Sequence, residues 1–281
     1  MISAVVILAL SGLAFGAILA FAARKFFVPV DERIETIRNL LPGANCSACG
    51  HASCSSYAEA VVSKGAPVDA CKVGGAAVAS KIAGVMGVEA VLDEEAKVAE
   101  VMCRGGRSAA PHSYEYMGIS DCKAASLPML HGGPKMCEYG CLGFGTCVRS
   151  CPFDAMYMGD DGVPVVDRDA CTACGKCVEA CPKHLIRLVP RSKKIHVVCS
   201  NRDRGPVARK VCKVACIACG ACVRACKVGA ISLRDNVALI DYSKCTECGE
   251  CVAKCPTKCI IEVPRVEDTK GGTQSAQGEV A

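Results

Sequence analysis

The sequence contains no tryptophan and only six phenylalanines and six tyrosines in 281 residues. So few aromatic side chains provide little bulky core material, and some other element must organise a fold of this length. The sequence also has no glycine-rich phosphate loop and no dinucleotide-binding fingerprint, so a nicotinamide or flavin site in this chain is not supported. Disorder does not fit either, because 51% of the residues are hydrophobic and the formal net charge is only +5.

Cysteine is the residue type present in excess, with 25 in the chain. In a short secreted protein this abundance would indicate disulfides, but the chain is neither short nor visibly secreted. Metal or redox chemistry is therefore the better interpretation. The net charge of +5 counts every thiol as neutral. Metal-bound thiolates would make the true balance far more negative, so the apparent basicity is no argument for nucleic-acid binding.

The amino terminus is a long uncharged segment. The first 23 residues carry no charge, and Arg24 and Lys25 end the apolar run. As a helix it would measure roughly 34 Å, enough to cross the hydrocarbon layer of a membrane. A cleaved signal peptide would have its positive charges before the apolar segment, whereas here they follow it. We therefore predict a retained transmembrane anchor over 1–26. The positive-inside rule then places the rest of the chain in the cytoplasm, as a single-pass protein of the cytoplasmic (inner) membrane.

The first group of cysteines lies in a predicted helical domain over 27–92. Its members are Cys46, Cys49, Cys54 and Cys71. A short amphipathic stretch over 31–41 precedes the group, and a helix over 57–64 separates its last member from the others. Three thiolates in one loop and a fourth after a helix suit a [4Fe-4S] cluster. A zinc site is the alternative, although it more often has two separated CxxC pairs. His51 is interpreted as a loop residue, because four cysteines already complete the set.

The second half of the chain is an internal repeat. The pattern CxxCxxCxxxCP begins at Cys171 and again at Cys245, 74 residues later, and a partner pattern begins at Cys141 and again at Cys216, 75 residues later. In such runs three cysteines bind one cluster and the fourth crosses to the other, so each repeat is predicted to hold two [4Fe-4S] clusters. Zinc is a weaker alternative here, because sulfur is too dense for isolated tetrahedral sites.

These patterns predict two ferredoxin-like units, over 131–190 and 191–265, with short strands at 163–167 and 237–241. The first unit lacks one local ligand, because Phe144 stands where the second unit has Cys219, and we assign Cys137 in its place. The predicted sets are Cys137, Cys141, Cys147 and Cys181; Cys151, Cys171, Cys174 and Cys177; Cys216, Cys219, Cys222 and Cys255; and Cys226, Cys245, Cys248 and Cys251. Together with the first group, they give five [4Fe-4S] clusters.

Five cysteines remain outside these sets. Cys259 aligns with Leu185 in the repeat, and we interpret it as a small apolar packing residue. The other four are Cys103, Cys122, Cys199 and Cys212. Either they bind iron in a sixth cluster that ties 101–122 to 197–213, or they are buried free thiols. Their long spacing is not diagnostic.

Three further segments are interpreted more broadly. The region 93–130 is predicted to connect the first domain to the first ferredoxin-like unit. The stretch 183–213 contains ten basic residues and one acid, Asp203. It is either a docking face for an acidic redox partner or a basic frame that offsets the negative charge of the clusters. Residues 266–281 are predicted to form a disordered tail.

The anchor, the CxxCx4Cx16C domain and the tandem two-cluster units resemble the B subunit of the Rnf complex, the ion-translocating ferredoxin:NAD oxidoreductase, in its long form. The resemblance covers nearly the whole chain, and His51 stands where an aromatic residue is more usual. It implies an α+β multidomain fold with a single N-terminal transmembrane helix, a small helical [4Fe-4S] domain and tandem ferredoxin-like (2[4Fe-4S]) units. It also implies electron exchange with soluble ferredoxin and passage to the other subunits, ultimately to NAD, with no nucleic-acid partner.

The mechanism that fits this resemblance is outer-sphere electron transfer, with the chemistry carried by the clusters. The enzyme class, a translocase, then belongs to the assembled complex, and this chain has no catalytic residue of its own. Two alternatives stay open at this point. One is the iron–sulfur wire of a membrane hydrogenase or another respiratory complex, and the other is a zinc-stapled, membrane-tethered interaction module.

Overall fold

The structure is a computed structural model that describes residues 2–26, 31–89 and 95–263. The predicted tail over 266–281 lies outside the described residues. The first helix, α1, runs from Ile2–Lys25 and ends on its two basic residues. The side chains of this helix are described at residues 9–22 and 24–25. Within the described residues, none of the helices combines the length and apolar character needed to cross a membrane. The predicted transmembrane anchor over 1–26 is therefore not supported.

Three helices form the domain that follows: α2 (Glu32–Leu40), α3 (Cys54–Lys64) and α4 (Gly75–Met86). The predicted helix over 57–64 begins three residues earlier, at Cys54, because Ser53 and Ser56 form a reciprocal capping box at its start. The core of this domain contains Ile37, Tyr57, Val61 and Ile82, all almost completely buried. The core thus packs directly behind the loop that carries the first cysteines.

The first ferredoxin-like unit contains four strands and several short helices. The strands are β1 (Lys97–Val101), β2 (Met156–Met158), β3 (Pro164–Val166) and β4 (Ile186–Pro190). The helices are α5 (Cys122–Ala125), α6 (Thr146–Arg149) and α7 (Lys176–Ala180), with a 3-10 turn at Pro128–Leu130. Strands β2 and β3 form an antiparallel hairpin, and β1 pairs antiparallel with β4. Strand β1 therefore brings the segment predicted as a connection into the sheet of this unit.

The second unit repeats this arrangement. Its strands are β5 (Ile195–Val197), β6 (Ile231–Arg234), β7 (Val237–Ile240) and β8 (Ile260–Glu262), and its helices are α8 (Gly205–Val211), α9 (Ala221–Ala225) and α10 (Glu250–Lys254). Strand β6 pairs with β7, and β5 pairs with β8, both antiparallel. The predicted strands at 163–167 and 237–241 are confirmed as β3 and β7.

The strand registers make the two units comparable residue by residue. Glu100 lies opposite Arg187 in the first unit, and His196 lies opposite Ile261 in the second. Arg187 and Ile261 are 74 positions apart, the spacing of the repeat. Glu100 and His196 therefore occupy equivalent places, although no repeat is visible between their flanking sequences.

Candidate iron–sulfur centres

All 25 cysteines lie within the described residues, and all are free thiols. They gather in groups of four, at loops that precede or follow the short helices. Cys46, Cys49, Cys54 and Cys71 form the amino-terminal set and line one cavity together. Burial raises the pKa of the Cys71 thiol, and the charges of the other three cysteines raise it further. The four predicted ligands of the first domain are thus brought together.

Local backbone geometry explains how neighbouring cysteines point into one cavity. Ser47, Ala173, Ala218 and Glu247 each lie inside a CxxC sequence and have φ between 53° and 57°. This left-handed conformation is uncommon for residues other than glycine, and it turns the chain so that successive backbone N–H groups converge. Converging N–H groups favour a negatively charged group at that place. The same turn recurs at equivalent positions of both units.

In each unit, the four cysteines farther from the junction lie close together, as the predicted sets group them. In the first unit, burial raises the pKa of Cys177 to about 12, and the nearby Cys171, Cys174 and Cys151 thiolates contribute. We call Cys151, Cys171, Cys174 and Cys177 the outer set of unit 1. In the second unit, burial raises the pKa of Cys251 to about 11, with contributions from Cys245 and Cys248. Cys226 packs against the same core as Cys251, and the four form the outer set of unit 2.

The inner set of unit 2 consists of Cys216, Cys219, Cys222 and Cys255. Burial raises the pKa of the Cys222 thiol, and the other three thiolates act in the same direction. A buried fifth thiol, Cys259, lies against this set, with its Sγ 3.6 Å from Cys255 Sγ. Its hydrogen bonds lower the pKa of Cys255 to about 5 and that of Cys216 to about 6. Cys259 therefore contacts the ligands as well as packing in the core.

The inner set of unit 1 differs from the sequence prediction. Cys122, Cys141, Cys147 and Cys181 line one cavity, and Cys137 does not take part. Burial raises the pKa of Cys147 to about 11, with contributions from Cys122 and Cys181. Asp121 caps α5, and the Cys122 N–H donates to Thr146 Oγ1 at 2.8 Å, so Cys122 is held beside Cys147.

The assignment of Cys137 to this set is corrected by these contacts, for a structural reason. The second unit has Ala221 at the position of Thr146, so the repeat gave no sign of the hydroxyl that holds Cys122. The unusual feature in the sequence was Asp121 directly before Cys122, an N-cap residue at the start of a short helix.

Cys137 belongs to a sixth group, which lies between the two units. We call it the bridging set, and its members are Cys103, Cys137, Cys199 and Cys212. They line one cavity. Burial raises the pKa of Cys137 to about 11, and Cys103 and Cys212 contribute to the shift. The structure brings together three of the four cysteines in the sequence hypothesis of a sixth group, and Cys137 takes the place of Cys122.

The bridging set is nearly symmetric between the units. The Cys141 N–H donates to Cys103 Sγ at 3.3 Å, and the equivalent Cys216 N–H donates to Cys199 Sγ at 3.2 Å. Cys137 and Cys212 are also equivalent, being 75 residues apart. Each unit thus supplies two thiols from the same two places. The 75-residue offset of Cys137 and Cys212 was the sequence signal that could have revealed this pairing.

The donor chemistry of these sets fits iron–sulfur clusters. Each consists of four thiols without histidine or carboxylate, and backbone N–H groups donate to sulfur, for example from Ala230 to Cys226 at 3.2 Å. Within residues 2–26, 31–89 and 95–263, no three or more His, Cys, Asp or Glu side chains are drawn together tightly enough for a single metal ion. The thiolates of a cubane stand farther apart than those of a zinc site, so the open sets suit the larger group.

The six sets follow one another in space. Burial raises the pKa of Cys174, and the charge of Cys46 in the amino-terminal set adds to this shift. Burial likewise raises the pKa of Cys177, and Cys147 of the inner set of unit 1 adds to it. The outer set of unit 1 therefore lies beside both the amino-terminal set and the inner set of unit 1. The N–H contacts of Cys141 and Cys216 with sulfur link the bridging set to the inner set of each unit. In unit 2 the Cys222 thiolate raises the pKa of Cys251. A continuous file therefore runs from the amino-terminal set to the outer set of unit 2.

Three family models match parts of the chain. A model for an Fe-S cluster family matches residues 41–73, which contain the amino-terminal set. Two models described as a 4Fe-4S dicluster domain match residues 137–186 and 215–259, which contain most of the two units. All three matches leave out Cys103, Cys122, Cys199 and Cys212. These matches support iron–sulfur character for the first domain and [4Fe-4S] character for the two units.

Relatives match the chain over most of its length. It is 50% identical to the B subunit of the Na(+)-translocating ferredoxin:NAD(+) oxidoreductase complex of Acetobacterium woodii, over 90% of this chain and 75% of the relative. It is 44% identical to the B subunit of the ion-translocating oxidoreductase complex of Methanosarcina acetivorans, over 92% and 97%. It is also 44% identical to the B subunit of the proton-translocating ferredoxin:NAD(+) oxidoreductase complex of Clostridium ljungdahlii, over 98% and 96%.

These relatives agree with the four-cysteine sets in pointing to electron transfer. The hydrogenase-like and zinc-module alternatives find no match among the three relatives and the three family models. The chain belongs to the Rnf family of B subunits of ion-translocating oxidoreductase complexes, and is an iron–sulfur electron-transfer subunit of such a complex.

Proposed function

We propose that the chain holds six [4Fe-4S] clusters in single file and passes electrons from soluble ferredoxin to the other subunits of the complex, ultimately to NAD. The observation that carries this proposal is the unbroken sequence of neighbouring sulfur sets. The bridging set is essential to it, because it is the only one of the six that touches both ferredoxin-like units. Without it, the inner sets of the two units would have no group between them.

The residues of this chain position the redox groups and set their surroundings. The candidate ligands are the four cysteines of each set: the amino-terminal set, the outer and inner sets of unit 1, the bridging set, and the inner and outer sets of unit 2. When bound, such a group accepts and releases one electron at a time. Eight of the 24 ligand thiols are buried and only two are exposed, which limits the access of water, and N–H donors to sulfur stabilise negative charge. No substrate bond is made or broken by side chains of this chain.

The entry point for electrons is placed at unit 2. Of the 25 cysteines, Cys219 and Cys248 are the two exposed ones, and both belong to this unit. Arg202, Arg204, Arg209 and Lys210 are exposed at or beside α8. Gly205, which begins α8, packs against the carbonyl of Ile217, in the loop that leads to Cys219. This basic face next to an exposed ligand suits an acidic redox partner, whose approach it would steer.

The proposed location follows from the function of the complex. Translocation of an ion requires a closed membrane, so the complex works at the cytoplasmic membrane. Soluble ferredoxin is cytoplasmic, and the sulfur sets that exchange electrons with it must face that side. The amino-terminal set, at the other end of the file, is then the one nearest to the remaining subunits.

The ligand assignment is tested by counting iron and sulfide in the full chain after anaerobic purification. Six clusters give about 24 irons per chain, against about 20 for five. Cys103→Ala is expected to lose about four irons, because it removes a ligand of the bridging set. Cys259→Ala is the matched control, a buried cysteine that is not assigned as a ligand. An unchanged iron count in Cys103→Ala would overturn the sixth site.

The route is tested by mixing the chain with reduced ferredoxin and following the fast phase of reduction. The wild-type chain is expected to take up about six electron equivalents quickly. A chain that lacks the bridging set is expected to take up about two, because only the sets of unit 2 stay connected to the donor. A full fast phase without the bridging set would contradict the single-file order.

The docking face is tested by charge reversal. Arg204→Glu and Arg209→Glu are expected to lower the bimolecular rate of reduction by ferredoxin at low salt, with the difference shrinking as salt rises. Lys123→Glu, at an exposed position of α5 in unit 1, is the matched control. Equal rates for all four proteins across the salt series would place the entry elsewhere.

A further inference from the structure

Lys135 is a buried cation between the bridging set and the inner set of unit 1. Its side chain is among the few buried polar ones in the described residues, with 6% of its surface exposed. The ammonium donates to the Gly105 carbonyl at 2.5 Å. Among the ion pairs found within the described residues, none involves Lys135. Asp161, a carboxylate whose pKa Lys135 helps to lower, is already engaged by the N–H and hydroxyl of Ser108.

The surroundings of Lys135 are ligand sulfurs. A Cβ added at Gly105, whose carbonyl binds the ammonium, would lie 3.1 Å from Cys212 Sγ and 3.8 Å from Cys103 Sγ. The aliphatic stem passes Gly140, where an added Cβ would lie 2.9 Å from Lys135 Cδ and 3.4 Å from Cys137 Cβ. The head of Lys135 therefore sits against the bridging set, and its stem runs beside the residue that precedes Cys141.

The position of Lys135 places its charge near both sets. Its ammonium is held at the Gly105 carbonyl, beside the Cys103 and Cys212 sulfurs of the bridging set. Its stem lies against Gly140, and the next residue, Cys141 of the inner set of unit 1, donates its N–H to Cys103 Sγ at 3.3 Å. One cation thus lies close to a ligand of the inner set of unit 1 and to two ligands of the bridging set.

A buried ammonium requires a compensating negative charge. A group held by four thiolates carries net negative charge, and it becomes more negative when it accepts an electron. A nearby buried cation therefore stabilises the reduced state more than the oxidised state, because the low-dielectric surroundings screen it weakly. The expected consequence is a more positive reduction potential at each set within its reach.

We propose that Lys135 raises the reduction potentials of the bridging set and of the inner set of unit 1 together, so that electrons can pass between the two units. This inference rests on the proposed function, since it requires that both sets hold clusters. Lys135 acts through its charge and does not bind the clusters itself.

The test uses three substitutions of Lys135 in the full chain, with paramagnetic resonance followed during a redox titration. Lys135→Gln keeps a donor for the Gly105 carbonyl but removes the charge, Lys135→Met removes both, and Lys135→Arg keeps both. Gln and Met are each expected to shift two of the redox components to more negative potential, while the other four stay in place and Arg restores the wild-type values. Lys244→Gln is the matched control, because this lysine adjoins Cys245 but its side chain is 63% exposed.

Iron content separates the possible outcomes. Potentials in Lys135→Gln equal to those of the wild type, at full iron content, would show that Lys135 only supports the Gly105 loop, and the inference would be wrong. If the neutral variants lose the iron of these two sets while Lys135→Arg retains it, the charge is needed to compensate them, which supports the inference. Loss in the Arg variant as well would contradict it. Failure of the proposed function is distinct, because it would appear as a missing cluster in the wild-type chain.

Discussion

The two ferredoxin-like units have the same strand pairings, but their inner sets obtain one ligand from different places. Unit 2 uses Cys219, which lies inside its own CxxC loop. Unit 1 has Phe144 at that position and uses Cys122, from a segment that precedes the repeat. The comparison teaches that the location of a four-cysteine set is preserved while the source of one of its cysteines is not. Because Cys122 completes the inner set of unit 1, Cys137 is available to the bridging set, where it lies with its counterpart Cys212.

A second difference lies at the junction of the units. In unit 1, Arg168 and Glu100 form a buried ion pair at 3.0 Å, with side chains 11% and 13% exposed. The equivalent residues of unit 2 are Tyr242 and His196, which form a neutral hydrogen bond of 2.7 Å. The two pairs meet, since Arg168 lies 3.4 Å from the His196 ring. The same two positions therefore hold a charged contact in one unit and an uncharged contact in the other.

The largest expected effect comes from removing the borrowed ligand of unit 1. Cys122→Ala is expected to lose about four irons per chain, because three thiols remain in the inner set. Phe144→Cys should restore them in the double variant, because position 144 corresponds to Cys219 and would give unit 1 the ligand arrangement of unit 2. Iron and sulfide analysis of the two variants measures both effects.

The control for this experiment is Phe144→Cys alone, which is expected to keep the wild-type iron content. Failure of the double variant to regain iron would mean that the two loops are not equivalent in space. Full iron in Cys122→Ala alone would return Cys137 to the inner set.

Breaking the two junction pairs should have unequal effects on stability. Arg168→Met leaves Glu100 as an uncompensated buried acid and is expected to cost about 3–5 kcal/mol. Tyr242→Phe removes one neutral hydrogen bond and is expected to cost about 1 kcal/mol. Denaturant unfolding of the anaerobic full chain compares the two. The exposed Lys244–Asp241 pair is the control, and Lys244→Gln should change stability least of the three variants, because solvent screens this pair. Equal losses in the free energy of unfolding would show that the buried ion pair contributes no more to stability than the neutral hydrogen bond.

The sequence predicted the local features of both units well and the long-range features poorly. The CxxC spacings and short strands follow from contacts within a few residues, so the hairpin strands β3 and β7 and the gathering of each CxxC pair could be anticipated. Strand β1 could not, because its pairing with β4 joins residues about 90 positions apart and its sequence shows no clear alternation. Cys122 lies in the same connecting segment, and its position beside the inner set also depends on how that segment folds onto unit 1. The sequence analysis therefore placed Cys137 in the inner set and Cys122 in the sixth group, the reverse of what the structure shows.

The neutral pair of unit 2 predicts a pH dependence that the ion pair of unit 1 opposes. Burial, with the charge of Arg168, lowers the pKa of His196 from 6.5 to about 4. Below pH 6.5, His196 is therefore protonated in the unfolded chain but stays neutral in the folded chain. The free energy of unfolding consequently decreases as the pH falls from 6.5 toward 4. Burial raises the pKa of Glu100, so the folded chain takes up that proton more readily and the acid acts in the opposite sense.

His196→Gln separates these contributions, because Gln keeps a hydrogen-bonding group toward Tyr242 but does not titrate. Its stability relative to the wild type is expected to improve by about 2 kcal/mol between pH 7 and about pH 5. Unfolding curves of both proteins across this range provide the measurement. Parallel curves would mean that His196 is protonated in the folded chain over the same range as in the unfolded chain.

The smallest expected effect concerns the one cysteine that unit 2 has in excess. Cys259 contacts the inner set of unit 2, whereas unit 1 has Leu185 at the equivalent position. A thiol that donates to ligand sulfur stabilises the added negative charge on reduction, so Cys259→Leu should lower the potential of this set by about 20–60 mV. Leu185→Cys should shift the inner set of unit 1 in the opposite direction, with iron content unchanged in both variants. If Cys259→Leu instead loses iron, Cys259 is a ligand, which would contradict its assignment as a hydrogen-bonding neighbour of the inner set of unit 2.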